Sequence, residues 1–164
     1  MIKVLIVDDH AFVRLGVSML LEQADGIAVV GECADGDEVP RAVRALNPDV
    51  VLMDLRMRGT SGLDATRALS ARHPRVRVLV FTASTTGGTA DQAARAGAAG
   101  YLIKGGSAQD LVTAVRAVAA GETEWPADPT GVCLSSPISR WRSSRRRTAG
   151  ASGQDNRHGN LRTA

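Results

Sequence analysis

Aromatic side chains are almost missing from this 164-residue chain: two Trp, one Tyr and two Phe make up 3% of it. Hydrophobic residues still reach 44%, so a core can form, but it has to be built from Val, Leu, Ile and Ala. Cysteine is equally scarce. Cys33 and Cys133 stand a hundred residues apart with no Cys-x-x-Cys spacing, which argues against a disulfide framework and a cysteine zinc site. His10, His73 and His158 are scattered, and none has metal-ligand spacing to another. No apolar run approaches the roughly 20 residues of a membrane helix. The N-terminal run is cut by Asp8 and Asp9 too early for a signal peptide, so a cytoplasmic location is expected and no membrane partner. An excess of one charge is also lacking where the chain looks folded. Residues 1–121 hold thirteen basic and thirteen acidic side chains, and the net +3 arises in 122–164. The folded part therefore carries no electrostatic signature of a nucleic-acid binder.

What is present is an alternation of two periodicities. Short aliphatic runs at 3–7, 28–31, 49–53, 76–81 and 99–103 have the length and composition of strands covered on both faces. Between them lie amphipathic stretches: 11–24, with Val13, Val17, Leu20 and Leu21 at spacings of three and four, and 37–46, where Pro40 fits a first turn. A third helix is expected from Ser61, with Ser61 and Asp64 spaced as a capping box, and a last from Ser107 to the residue before Gly121. The stretch at about 88–96 offers only Ala to an inner face and has two glycines at its start, so it is expected to be mobile. Five strands alternating with five helices predict an α/β fold, a five-stranded parallel sheet wrapped on both faces and joined by right-handed crossovers.

In such sheets the chemistry sits at the carboxyl ends of the strands. The first strand runs into Asp8 and Asp9, the third into Asp54, the fourth ends at Thr82 and the fifth leads to Lys104. Taken singly, each has an ordinary reading: an acid capping the next helix, a solvated lysine, a strand threonine. Taken together, acid, acid, hydroxyl and ammonium converge on one rim. Gathered carboxylates call for a hard cation such as Mg²⁺, and the set suits phosphoryl transfer to a carboxylate. A phosphatase of haloacid-dehalogenase type would want Asp-x-Asp after the first strand, whereas here the acids are adjacent.

These residues resemble a family, the receiver domain of two-component response regulators. The segments LIVDDHAFVRLGVSMLL, VLMDLRMRGTSGLDATR, VLVFTAS and RAGAAGYLIKG look like its signatures, in order and spacing, over residues 1 to 121. The first and last look most similar to regulators with a LuxR-type helix-turn-helix output. The resemblance implies a (βα)5 flavodoxin-like receiver fold and a Mg²⁺-dependent phosphoacceptor that promotes its own phosphorylation and dephosphorylation. It implies that Asp54 accepts the phosphoryl group from a sensor histidine kinase. Asp9, Asp54 and the backbone carbonyl of Arg56 would bind Mg²⁺ directly, with Asp8 helping through water. Thr82 and Lys104 would contact phosphoryl oxygens, Tyr101 would reorient on activation, and a homodimer on phosphorylation would follow.

Two features depart from that pattern. The turn Met57-Arg58-Gly59-Thr60-Ser61-Gly62 has Arg58 where the family usually has Pro, giving up a fixed φ at a cost of about 0.4–1 kcal/mol. Arg58 also brings a cation towards the acidic rim. The larger departure is 122–164, rich in Arg, Ser and Gly, which reads as a disordered tail rather than a helix-turn-helix. Its Arg145-Arg146-Arg147 cluster fits at most non-specific phosphate contacts, so DNA binding by this chain is doubtful. The expectation is out-of-frame or truncated coding sequence beyond codon 121.

Overall fold

The computed structural model describes residues 1–83 and 88–125. Ten elements follow one another in strict alternation: β1 (Ile2–Val7), α1 (Ala11–Glu22), β2 (Ile27–Cys33), α2 (Val39–Leu46), β3 (Val50–Met53), α3 (Gly62–Arg72), β4 (Arg77–Thr82), α4 (Thr89–Ala96), β5 (Gly100–Ile103) and α5 (Ala108–Ala119). All pairings are parallel, in the order β2-β1-β3-β4-β5. This is the expected five-stranded parallel sheet with five helices, a (βα)5 flavodoxin-like arrangement.

Period two within each strand divides the core. Val4 and Ile6 of β1, with Val50 and Leu52 of β3, face Val17 and Leu21 of α1 and Leu111, Val115 and Val118 of α5. Their neighbours Leu5, Val7, Val51 and Met53 face Val39 and Val43 of α2 and Leu69 of α3. Both strands are buried at every one of these positions, as continuous aliphatic runs in a parallel sheet should be. A third, smaller cluster joins Leu55, Val80, Ala93, Ala98 and Tyr101, with Trp125 packed against it.

Local chemistry explains the helix ends. α5 starts with a complete capping box, the Ser107 hydroxyl accepting from the Asp110 amide and the Asp110 carboxylate from the Ser107 amide. At α3 only half of the expected box forms. Ser61 accepts from the Asp64 amide, but the Asp64 carboxylate takes the Ser61 hydroxyl and Arg67 instead. Pro40 lies in the first turn of α2, and Asn47 ends that helix in the left-handed region. Arg44 and Arg72 lie in the last turns of α2 and α3, where a cation complements the helix dipole.

Gly62 shows how tightly α3 is seated. A Cβ at this position would lie 1.9 Å from the Asp54 carbonyl oxygen, a contact that no rotamer change relieves. Gly62→Ala is therefore expected to destabilise the chain by about 1–3 kcal/mol, although Ala is the better helix former. A urea midpoint equal to that of the parent would show that the close approach is not maintained in solution.

Residues 122–125 lie along β5: Glu124 bridges Gly100, the Tyr101 amide donates to the Glu124 carbonyl at 2.7 Å, and the Glu124 amide donates to the Ala99 carbonyl at 3.1 Å. Arg77 holds the carbonyls of Gly121 and Glu122. β5 is otherwise an edge strand, and this pairing covers part of its edge. Four residues are too few to show a periodicity, which is why composition placed them in the tail. The disorder expected for the tail, its Arg cluster, Cys133 and the question of a helix-turn-helix fall on 126–164, outside the described residues. Among the described residues no helix is long and apolar enough to cross a membrane.

Candidate functional site

The parallel ladders run one residue past three strands. The Asp8 amide donates to the Cys33 carbonyl at 3.1 Å, the Asp54 amide to Val7 at 2.8 Å, and the Lys104 amide to Thr82 at 2.9 Å. These bonds set Asp8, Asp54 and Lys104 on one rim, beside Thr82. Strand parity then decides which way they lean. Asp8 continues Val4 and Ile6, Asp54 continues Val50 and Leu52, and Lys104 follows Leu102, all on the α1/α5 side of the sheet. Thr82 has the parity of Val78 and Val80 and is fully buried at the end of β4.

The side chains meet accordingly. Lys104 Nζ lies 2.5 Å from Asp8 Oδ2 and 3.3 Å from Asp54 Oδ1, with only 16% of the lysine side chain exposed. Asp8 also accepts the His10 amide at 2.8 Å in the turn leading into α1, whose N-cap residue, His10, receives no side-chain cap. Asp9 is less well provided for. Its Oδ1 is 2.8 Å from His10 Nδ1, outside hydrogen-bond geometry, and has no hydrogen-bond partner among the described residues. Arg58 approaches Asp9 Oδ2 at 3.5 Å, but its side chain is 88% exposed, so the pair adds little.

Lys104 thus pairs with two of the three acids on this rim. Ligand atoms of Asp8, Asp9, His10 and Asp54 fall within 4.8 Å of one another, and this group could hold a metal ion. The donor set is hard, dominated by carboxylate oxygens, and it contains a buried oxygen with no hydrogen bond; both fit Mg²⁺. His10 escaped the sequence reading, which searched for histidines spaced to one another. The signal available was its adjacency to the acid pair.

Tyr101 is buried with Leu55, Val80, Ala93, Ala98 and Trp125, and burial pushes its phenol above the usual range. Leu55 is the residue after Asp54, so this cluster touches the site from below. Cys33 has no part in it. Burial raises its thiol to about 11, where it is protonated and unreactive at neutral pH.

A family model described as the response regulator receiver domain matches residues 4–116. Response regulator GacA of Pseudomonas syringae pv. syringae is 44% identical over 122 residues, covering 74% of this chain and 57% of that protein. Response regulator UvrY of Escherichia coli K12 is 43% identical over 122 residues, covering 74% and 56%. Among solved structures, a two-component response regulator of the LuxR family from Aurantimonas sp. SI85-9A1 matches with TM-score 0.71 and 35% identity, over 88% of this chain and 96% of that one. The receiver domain of the putative response regulator NarL from Mycobacterium tuberculosis also gives 0.71 and 35%, over 74% and 98%. The chain spans about 57% of the length of the curated relatives it matches.

Proposed function

We propose, from the premise that this chain belongs to the response regulator receiver domain family, that Asp54 accepts a phosphoryl group from a sensor histidine kinase in a Mg²⁺-dependent reaction. The observation that carries the reading is the pairing of buried Asp54 with Lys104 on a rim that also holds Asp8 and Asp9. In the transfer, a carboxylate oxygen of Asp54 bonds to phosphorus as the bond to the donor's imidazole nitrogen breaks. The product is an acyl phosphate on the protein and a free histidine on the donor. Bound Mg²⁺ would offset the charge gathered on the incoming phosphoryl oxygens. Asp9 and Asp54 would hold it with the Arg56 carbonyl, and Asp8 would assist through water.

Lys104 is shared between Asp8 and Asp54 in the resting arrangement. Keeping Asp8 while turning to a phosphoryl oxygen would leave one cation compensating the new charge. Thr82, at the end of β4, would donate its hydroxyl to another phosphoryl oxygen, and Tyr101, in the same apolar cluster as Leu55, would follow the change. The chain is a signalling switch of this family rather than a classical enzyme. Assistance to its own phosphorylation and dephosphorylation, a cytoplasmic location and homodimerisation on phosphorylation belong to the proposal. DNA binding is not part of the proposal.

The test is incubation with a small phosphodonor, acetyl phosphate, with and without Mg²⁺, followed by intact mass and peptide mapping. One phosphoryl group on the peptide holding Asp54, formed only with Mg²⁺, is expected. A chain that stays unlabelled at saturating Mg²⁺ overturns the reading.

A further inference from the structure

The loop between β3 and α3 leaves Asp54, carries Arg56 and Arg58, and is held at three places. At its end, the Gly62 amide donates to Leu55 and the glycine leaves no room above the Asp54 carbonyl. Along its length, Met57 packs into the cluster formed by β1, β3, α2 and α3. Its tip is held by a residue far away in sequence. Asp35, in the turn between β2 and α2, accepts the Thr60 amide on Oδ1 at 3.0 Å and the Asp37 amide on the same oxygen at 3.1 Å.

Two glycines make that contact sterically possible, and they do so independently of the hydrogen bonds. A Cβ on Gly59 would sit 1.6 Å from Asp35 Oδ2, and a Cβ on Gly36 would sit 2.8 Å from the Thr60 carbonyl oxygen. The two turns therefore approach backbone to backbone with one carboxylate clasped between them. The amides of Asp37 and Thr60 hold the Asp35 carboxyl below its ordinary range, as expected for an acceptor whose charged form is hydrogen-bonded.

From this we infer that Asp35 is a positioning residue for the phosphoacceptor site, acting by ordering the loop that carries the Arg56 carbonyl and brings Arg58 towards Asp9. The inference rests on the phosphoacceptor reading for its consequence but not for its geometry. Asp35 touches neither Asp54 nor the acids of the rim. Its effect passes through the Thr60 amide into a turn that has Arg58 where a proline would have limited the backbone. A loop without that restraint depends more on the clasp.

Two variants separate the possibilities. Asp35→Ala removes the acceptor, while Asp35→Asn keeps a carbonyl oxygen able to receive both amides. The first readout needs neither metal nor phosphodonor: native-state trypsin cleavage after Arg56 and Arg58, followed by mass spectrometry, at matched fractions of the urea midpoint. Asp35→Ala should speed these cuts by about tenfold and Asp35→Asn by much less. The second readout is the Mg²⁺ concentration giving half-maximal labelling by acetyl phosphate. It should rise by about tenfold in Asp35→Ala, the low end for a residue acting behind the metal-facing groups. The labelling endpoint at saturating Mg²⁺ should stay at the parent value, and Asp35→Asn should restore the Mg²⁺ requirement. Parent-like cleavage in Asp35→Ala overturns the clasp, as does an Asp35→Asn variant as impaired as Ala. Faster cleavage with an unchanged Mg²⁺ requirement overturns the positioning role. Failure of the parent chain to label is a different result, and it removes the phosphoacceptor reading itself.

Discussion

Asp54→Asn is expected to abolish labelling by acetyl phosphate while leaving the fold intact. The amide is close in shape to the carboxylate, so the strand end, the bond from its backbone amide to Val7 and the seat of α3 against its carbonyl all survive. What goes is the anionic oxygen that attacks phosphorus, and no partial substitute is available in the amide. The neighbouring acids are poor replacements. Asp8 is engaged by Lys104 and the His10 amide, and Asp9 lies beside His10 and Arg58. Unchanged circular dichroism with no phosphoryl group on the peptide holding residue 54 is the expected pair of results. Undiminished labelling on another peptide would move the acceptor to Asp8 or Asp9 and sink the assignment.

The second large effect concerns stability. Lys104→Met is expected to destabilise the metal-free chain by about 3–5 kcal/mol, because it leaves the buried carboxylates of Asp8 and Asp54 without their common cation. Against a typical domain stability of about 5–15 kcal/mol this approaches unfolding. The loss should shrink when Mg²⁺ is added. A cation that binds the folded state alone adds about 2.7 kcal/mol at a hundred times its dissociation constant. The variant should also bind Mg²⁺ more tightly than the parent, since the ammonium no longer competes for Asp8 and Asp54. Urea denaturation in chelator and in excess Mg²⁺ reads both effects. An equal loss under the two conditions would mean that Lys104 contributes packing rather than charge.

Much of this site could be read from the chain before any coordinates, and the reason is parity. A strand buried on both faces has a recognisable aliphatic run, and the first polar residue after it marks the rim. Counting in twos from Val50 and Leu52 even states on which side Asp54 emerges. The same count works for Asp8 and Lys104. What stayed hidden depends on the spatial meeting of distant turns. Asp35 and Thr60 are 25 residues apart, and neither belongs to a periodic pattern that would pair them. The half-formed box at α3 was hidden for another reason. Ser61 and Asp64 have the right spacing, but Arg67 one turn on competes for the carboxylate. Glu124 and Trp125 look like the start of a polar tail by composition, and only the open edge of β5 gives them a place.

That last feature bears on how the receiver would be joined to other modules. A protein engineer reading helices alone would cut after Ala119, where α5 ends. Such a cut deletes Glu124 and Trp125, bares the Tyr101 amide and Ala99 carbonyl on the outermost strand, and strips one aromatic wall from the cluster above Leu55. A cut after Trp125 keeps both of these contacts.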